Sequence, residues 1–469
     1  MKTRVDVSHA DSRIDPMVWK ISAVVVLGPL MTSLDATAVN LSLSTLITEL
    51  RTPLTQIQWV TTGYLLALTL TLPLSGWLVD HFGIKRVYLG CFTLFTLASL
   101  LCGTAQSASA LIAFRVLQGM AGGLLAPMAQ MTTARVAGRH MARVMGLMSI
   151  PVLVGPIFGP VLAGAILQHA SWRWIFLINL PIGVLAITLA TRILPADDHE
   201  TRRRTFDLKG LLLLSPGLVL LLHSLESLSS KTASTQVSIS ELILAVTLLA
   251  MFIRHGARLG EAALIDLRLF RRKPFSAAAL TQFFANALSF GGQMLMPLYL
   301  LQVLGRSRSN AGLLLAPIGL GAVLAYPMMG MLTERFGSRT VSATGACLAL
   351  VGTLPFVLYG GHGLPLAVLC TALFVRGVGM SSVGIPSIAA AYSDIPGPII
   401  PVATTTLNIA QRIGGPVATT LLAIFLQCSI KTHISDPPKA YIATFWVLIA
   451  IHAGCVLAAL RLPNSGRSS

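Results

Sequence analysis

Apolar runs of about 20 residues follow one another along almost the whole chain, with short polar loops between them. A helix needs roughly 20 mainly apolar residues to cross the hydrocarbon core of a bilayer. The chain has 469 residues, which leaves room for about fourteen crossings and little else. The sequence therefore predicts an all-α polytopic membrane protein without a soluble domain of its own.

Composition supports this prediction. Charged residues make up 11% of the chain, whereas soluble domains carry roughly 25%. The net charge of +17 could suggest a nucleic-acid partner, but the lysines and arginines lie in short loops between apolar spans. Because basic loops set the orientation of membrane proteins, we interpret the charge as a topology signal and expect no nucleic-acid partner.

Apolar windows define fourteen predicted spans. They lie at 20–42, 57–79, 87–106, 109–131, 145–168, 174–194, 210–228, 237–253, 275–303, 310–332, 340–360, 364–386, 400–427 and 441–461.

The distribution of basic residues orients these spans. If the N-terminus lies inside, 24 of the 34 lysines and arginines fall in intracellular segments, seven fall outside and three lie within spans. Since basic residues accumulate on the cytoplasmic side, we expect both termini to be cytoplasmic.

Two pairs of segments repeat along the chain. Gly76–Arg86 after span two matches Gly330–Arg339 after span ten, and Arg115–Gly119 in span four matches Arg376–Gly379 in span twelve. The common offset of eight spans predicts two six-helix bundles with two inserted helices. Repeat-built transporters bind their substrate between such halves. The predicted parts are a cytoplasmic N-terminal segment (1–19), the first bundle (20–194), a basic linker (195–209), the inserted helices (210–253), a second basic linker (254–274), the second bundle (275–461) and a cytoplasmic tail (462–469).

Two further motifs lie within spans. Span one contains Leu34–Asn40, and span five contains a run of glycines and prolines. Together with the two repeated motifs, they resemble the fourteen-helix drug:proton antiporters of the major facilitator superfamily, over about residues 20–461. The stretches Ser171–Gly183 and Phe206–Asp207 resemble the same branch, and we assign them no transport chemistry. The span-five residues are Gly155, Pro156, Gly159, Pro160 and Gly164.

The loop after span two resembles the signature motif of the superfamily, which implies a latch on the cytoplasmic side. Its glycines allow close approach of helix ends, and its acid can pair with basic neighbours. The alternative is a loop that only sets topology. The motif residues are Gly76, Asp80, Gly83, Lys85 and Arg86.

The span-five motif resembles the one that separates antiporters from symporters in this superfamily. Small residues let helices pack backbone to backbone, which would prevent leakage when the substrate site is empty. Pro151 and Pro160 depart from the usual glycines of this motif.

Asp35 is the only carboxylate well inside a predicted span, and Arg115 lies at a similar depth in span four. Burial favours the neutral carboxyl group, whereas a nearby arginine favours the carboxylate. Movement of this pair between open states would therefore couple proton uptake to conformation. We predict that Asp35 carries the proton and Arg115 modulates it; the alternative is a structural ion pair or a helix cap.

Arg376 and Arg412 also lie near the centre of their spans, but no acid of the second half is placed to pair with them. We interpret Arg376 and Arg412 as structural arginines. The absence of acidic residues well inside the spans of the second half favours monovalent, neutral or anionic substrates.

Polar, methionine and aromatic residues of several spans are candidates for a promiscuous substrate cavity, although each could equally serve ordinary packing. They are Met31, Tyr64, Gln118, Gln282, Phe283, Phe284, Gln293, Met294, Asn408 and Arg412.

The leading functional prediction is proton-driven export of amphipathic drugs or other toxic small molecules across a bacterial inner membrane, with no cofactor. A dedicated exporter of a single metabolite or antibiotic is the alternative; a proton symporter and a non-transport membrane protein fit less well. The sequence contains no GxxxxGK[ST] phosphate loop, metal cluster or nucleophile–base set, so neither an enzyme nor an ATP-driven pump is predicted. The expected partners are small molecules, protons and lipids, with a periplasmic adaptor as a further candidate.

Overall fold

A computed structural model describes residues 14–197, 205–230, 234–359, 365–433 and 436–464. These residues form helices and no strand. The first half contains α1 (Pro16–Glu49), α2 (Leu54–Thr71 and Leu74–Phe82), α3 (Ile84–Thr104), α4 (Ala108–Ala137), α5 (Met141–His169) and α6 (Trp174–Ile193). Two helices follow, α7 (Leu208–Ser230) and α8 (Thr235–Leu259). The second half contains α9 (Lys273–Gln302), α10 (Arg308–Phe336), α11 (Ser338–Leu358), α12 (Leu366–Tyr392), α13 (Ile400–Thr432) and α14 (Pro437–Ala459).

These helices confirm the all-α membrane architecture. Eleven of the described helices are long and apolar enough to cross a membrane, and the two parts of α2, bent by 55°, make a twelfth. The helices α5 and α9 coincide with two further predicted spans. The count of fourteen crossings stays a prediction, as do the domain boundaries. The predicted segments 1–19, 195–209 and 462–469 lie partly outside the described residues.

The repeated loops share one backbone conformation. Gly83 between α2 and α3 has φ 86° and ψ 159°, and Gly337 between α10 and α11 has φ 84° and ψ 155°. A positive φ is accessible to glycine at little cost, whereas a side chain would strain it. The glycine in each of the two repeated loops therefore serves the same purpose, namely a tight turn between two consecutive helices.

The halves meet at their predicted cytoplasmic ends. The Ser75 and Thr405 hydroxyls are 2.7 Å apart across α2 and α13. A second contact joins α5 to α10, where Gly146 packs against the carbonyl of Tyr326 and Gly330 packs against Arg143. We call these two contacts the cytoplasmic seam. A Cβ on Gly330 would overlap the backbone of Arg143, and a Cβ on Gly146 would be in tight contact with the Tyr326 carbonyl, so these glycines allow α5 and α10 to approach closely.

The inserted helices bridge the two halves. Ser215 of α7 donates to the Leu70 carbonyl of α2 (2.8 Å), and Thr420 of α13 donates to the Leu225 carbonyl of α7 (2.8 Å). Both hydroxyls thus satisfy backbone carbonyls within apolar helices, where an unpaired polar group is costly.

Asp207 fixes the cytoplasmic end of the inserted helices. Its carboxylate accepts from the Gly210 and Leu264 backbone N–H groups (2.7 and 3.1 Å) and lies 2.8 Å from His255 Nε2. Burial alone would raise the pKa of Asp207, but the hydrogen bonds from His255, Gly210 and Leu264 lower it below its usual value. The aspartate therefore caps α7 and ties α7 to α8 and to the linker that follows.

Candidate functional site

Asp35 of α1 and Arg115 of α4 form a buried ion pair. Arg115 donates from Nη1 to Asp35 Oδ2 over 2.5 Å, and neither side chain has any exposed surface. A second bond from Arg115 Nε to the Val60 carbonyl (3.1 Å) anchors the guanidinium to α2. Asp35 and Arg115 are 80 positions apart in the sequence, and the packing of α1 and α4 places their opposite charges in contact.

Uncharged polar side chains complete the coordination of the carboxylate. Asp35 Oδ1 accepts from Gln118 Nε2 (3.1 Å) and from Asn179 Nδ2 of α6 (2.9 Å). Gln118 also accepts from Arg115 Nη1 (2.7 Å) and donates to the Ser99 hydroxyl of α3 (2.7 Å). Asp35 therefore lies in a network that joins α1, α3, α4 and α6.

Sequence reasoning did not identify Ser99 and Asn179 as members of this site. Asn179 lies inside Ser171–Gly183, a stretch that resembles the family and to which we assigned no transport chemistry. A signal was present, because an amide inside an apolar span requires a partner and such polar residues in spans are often functional.

One donor of Arg115 is left over. Among the described residues, its Nη2 has no hydrogen-bond partner, and neither does the buried Tyr64 hydroxyl. The guanidinium carbon lies 4.0 Å from the centre of the Tyr64 ring, which attracts the cation through its π face. Buried polar atoms are rarely unsatisfied in a purely structural network, so this site has unused hydrogen-bonding capacity.

The span-five motif packs directly on the turn of α1 that carries Asp35. A Cβ on Gly155 would lie 2.7 Å from the Ser33 Cβ, and Thr37 Oγ1 donates to the Gly155 carbonyl (3.2 Å). A Cβ on Gly159 would also overlap Thr37, whereas a Cβ on Gly164 would meet no described atom of another helix within 4 Å. The side chains of Pro156 and Pro160 lie outside the described residues. The motif therefore fixes the distance between α1 and α5 next to the acid.

A small cavity of about 40 Å³ reaches Asp35 between α1, α5 and α6. Ala38, Gly159 and Ile175 belong to its wall, and Asp35 and Asn179 are its polar residues. This volume suffices for one water molecule, which needs two or more polar partners. Asp35 and Asn179 therefore border a space large enough for one water molecule, and Arg115 does not belong to its described lining.

The repeat partner of Arg115 has a different environment. Arg376 donates to the Thr353 hydroxyl (2.6 Å) and the Leu288 carbonyl (2.8 Å), and its Nη1 lies 2.8 Å from His452 Nε2. Because Nε2 faces an arginine donor, it must accept, and His452 carries its proton on Nδ1. The interpretation of Arg376 as a structural arginine agrees with these contacts.

A larger cavity of about 280 Å³ is lined by residues of both halves and lies beside the cytoplasmic seam, since Met145 of its lining precedes Gly146 of the seam. Asn408 of α13 donates to Gln130 of α4 (2.6 Å) across it. Six polar side chains line the cavity: Ser22, Gln130, Thr133, Ser149, Asn408 and Gln411.

Of the predicted cavity residues, Asn408 alone belongs to the described lining of this cavity. Gln282 is also buried, where it donates to the Gly384 carbonyl (2.7 Å). Gln293 is exposed and bonds to Ser289 of its own helix. The remaining candidates either pack within one half or are half-buried outside this lining: Met31, Tyr64, Gln118, Phe283, Phe284, Met294 and Arg412.

The structure does not bring these residues together around this cavity, and their role in substrate binding stays a prediction. The side of a helix that faces the partner half cannot be read from the sequence where both sides are apolar. Gln130 and Gln411 were missed for the same reason, although each is an amide inside an apolar span.

The loop after span two contacts two neighbours. Gly76 packs against Pro401 and Thr405 in the cytoplasmic seam, and Asp80 is buried. Gly83 lies against Asp197, which accepts from the backbone N–H groups of Lys85 (2.8 Å) and Arg86 (3.1 Å). The Lys85 ammonium group donates to the Leu194 carbonyl (2.7 Å) beyond the end of α6. The motif thus joins α2 to α13 and holds α3 against α6.

The family model of the Major Facilitator Superfamily matches residues 25–419. The chain belongs to this superfamily. It is therefore a membrane transporter and not an enzyme, as predicted. A "Multidrug resistance protein B homolog" of Mycobacterium tuberculosis is 37% identical over 421 residues, which cover 88% of this chain and 77% of the relative. A "Putative multidrug resistance protein MdtD" of Citrobacter koseri is 32% identical and covers 96% of both chains.

Solved structures show the same fold. The proton:xylose symporter XylE matches with a TM-score of 0.64 at 16% identity, covering 96% of this chain and 95% of that one. The human organic anion transporter MFSD10 matches with a TM-score of 0.65 at 14% identity, covering 95% and 100%. At such identities the likeness establishes the fold, and the resemblance to drug transporters rests on the sequence relatives.

Proposed function

We propose that this protein exports amphipathic small molecules across a bacterial inner membrane in exchange for protons. The observation that carries the proposal is the fully buried Asp35–Arg115 pair, which lies inside one half and apart from the cavity between the halves. Relatives named as multidrug resistance proteins support the substrate class.

Proton uptake would act on the pair itself. The carboxylate of Asp35 attracts Arg115, and protonation of the carboxyl group removes that charge. The guanidinium then needs other acceptors, and the unused Nη2 donor shows that its hydrogen bonding is not saturated here. A proton on Asp35 therefore favours a different arrangement of α1 and α4.

Helix α5 provides a physical link between the proton site and the seam. Its Gly155 packs on the turn that carries Asp35, and its Gly146 packs on α10 of the other half. A shift of α1 would pass through this rigid, closely packed helix to the contact between the halves. We infer that the two halves rock about the cavity, with the seam closed when the outer side is open.

The energetics allow one proton per cycle. One elementary charge that crosses about 100 mV releases about 2.3 kcal/mol, which corresponds to roughly a fifty-fold concentration ratio. This ratio suffices to lower the internal concentration of a toxic compound. One carboxylate is therefore adequate as the coupling site.

The test is reconstitution into proteoliposomes with an imposed pH gradient and a panel of drugs. We expect substrate addition to release protons from the wild-type protein, and Asp35→Asn to abolish this release. The exposed Glu49 at the end of the same helix supplies the control variant, Glu49→Gln, which should behave like wild type. Proton-coupled efflux by folded Asp35→Asn at the wild-type rate would refute the proposal. A panel in which a single compound is transported would favour the dedicated exporter.

A further inference from the structure

The cavity between the halves has a lining without charge. Among the described residues, it is formed by six amide or hydroxyl side chains and by aliphatic and methionine side chains. Asp, Glu, Lys, Arg, His and aromatic residues do not belong to this lining. Because a buried ion needs a counter-charge or several hydrogen bonds to replace its hydration, such a cavity selects against charged ligands.

The described lining offers nothing that would hold a cation. An organic cation is held in proteins by carboxylates or by aromatic faces, and the described lining contains neither.

The amides of the lining offer both donors and acceptors. Asn408 uses its Nδ2 for Gln130 Oε1 (2.6 Å) and for the Thr404 carbonyl (2.9 Å). This leaves Asn408 Oδ1 as an acceptor and Gln130 Nε2 as a donor on two residues that line the cavity. Gln411 adds a second amide one turn further along α13. An uncharged polar group of a ligand can therefore donate a hydrogen bond to one amide and accept one from another.

We propose that this cavity binds small uncharged amphiphiles, with an apolar body on the aliphatic and methionine wall and a neutral polar group at the amides. Its volume of about 280 Å³ lies at the lower end of ligand pockets, which span about 300–1,000 Å³. The proposal rests on the function proposed above and defines its substrate class.

The net charge moved in each transport cycle depends on the charge of the substrate. One proton that enters in exchange for one uncharged molecule moves one positive charge inward. Transport of such a substrate therefore responds to the membrane potential even without a pH gradient. Exchange of one proton for a monovalent cation would move no net charge.

Equilibrium dialysis of the purified protein in detergent tests the binding step without any gradient. Three probes share a biaryl shape: 4-phenylpyridine, which is uncharged at neutral pH, the cation N-methyl-4-phenylpyridinium and the anion 4-phenylbenzoate. We expect the uncharged probe to bind at least ten-fold more tightly than either ion. Equal or tighter binding of an ion would overturn the proposal, and so would the absence of binding by all three.

A single substitution should change the charge preference. Asn408→Asp places a carboxylate in the cavity with nearly unchanged volume, so we expect affinity for N-methyl-4-phenylpyridinium to rise at least ten-fold. Gln236→Glu makes the same change from amide to carboxylate at an exposed position of α8 and should leave all three affinities unchanged. An Asn408→Asp protein that folds and still rejects the cation would count against this cavity as the binding site.

Transport separates this inference from the proposed function. In proteoliposomes without a pH gradient, a potassium-diffusion potential should drive 4-phenylpyridine movement by the wild-type protein. Potential-independent transport of this uncharged probe would mean that no proton is exchanged for it, which contradicts the antiport mechanism and not the assignment of the cavity. Loss of proton coupling with unchanged binding selectivity would count against the antiport mechanism and leave the cavity assignment standing.

Discussion

The buried pair of Asp35 and Arg115 makes a quantitative prediction about stability. At an effective dielectric constant of about 20, two charges roughly 4 Å apart attract by about 4 kcal/mol. Removal of one partner from a buried pair costs about 3–5 kcal/mol, because the other charge is left uncompensated. Asp35→Asn and Arg115→Met should each destabilise the protein by an amount of this order.

The double variant should be much less unstable than the sum of the two. It removes both charges at once, so no isolated ion stays buried, and the remaining amide can still bond to Gln118 and Asn179. We expect a coupling energy of about 3 kcal/mol between Asp35 and Arg115, which is large for a residue pair.

Unfolding in mixed micelles with increasing dodecyl sulfate, followed by loss of helical circular dichroism, measures these four stabilities. The exposed pair of Asp436 and Lys439 offers a control cycle, since its ammonium–carboxylate contact of 2.9 Å is open to solvent. The effects of Asp436→Asn and Lys439→Met on the free energy of unfolding should be additive, because exposed ion pairs contribute little. Additivity within about 0.5 kcal/mol for Asp35 and Arg115 would refute the view that the pair interacts as two unscreened charges.

Two further predictions concern packing and pH. Gly155→Val should raise the proton leak of substrate-free proteoliposomes, because its side chain would overlap Ser33 and separate α1 from α5. Gly164→Val is the control and should not leak, because a Cβ there would meet no described atom of another helix within 4 Å. An unchanged leak in folded Gly155→Val would argue against a sealing role for the motif. The pKa of Asp207 is lowered in the folded state, so its contribution to stability is complete above the unfolded value of about 3.9 and is lost as pH falls through the lower folded pKa. Melting temperatures should therefore place Asp207→Asn below wild type at pH 7, with a gap that narrows as the pH falls below about 4; a gap independent of pH would mean that the bond to His255 does not depend on the carboxylate charge.

Much of the architecture follows from the sequence alone. Apolar runs of the length of a bilayer crossing predicted the membrane class, and the confirmed helices coincide with those runs. The repeat of the motif around Gly83 and Gly337 identified two loops with the same backbone conformation, because a positive φ limits the choice of residue. Asp35 and Arg115 could be paired because a charge within a span is costly unless it meets its opposite.

The rest required the tertiary structure. Ser99 and Asn179 join the site through hydrogen bonds between helices, and sequence spacing does not encode which amide of one helix faces which acid of another. Which polar residues line the cavity between the halves could not be read from the sequence, since an almost uniformly apolar helix carries no periodic signal of the face it turns to the other half. The sequence by itself determined that a carboxylate and an arginine lie buried at one depth. Only the packing of α1, α4 and α6 decided that they touch and that a separate, uncharged cavity lies between the halves.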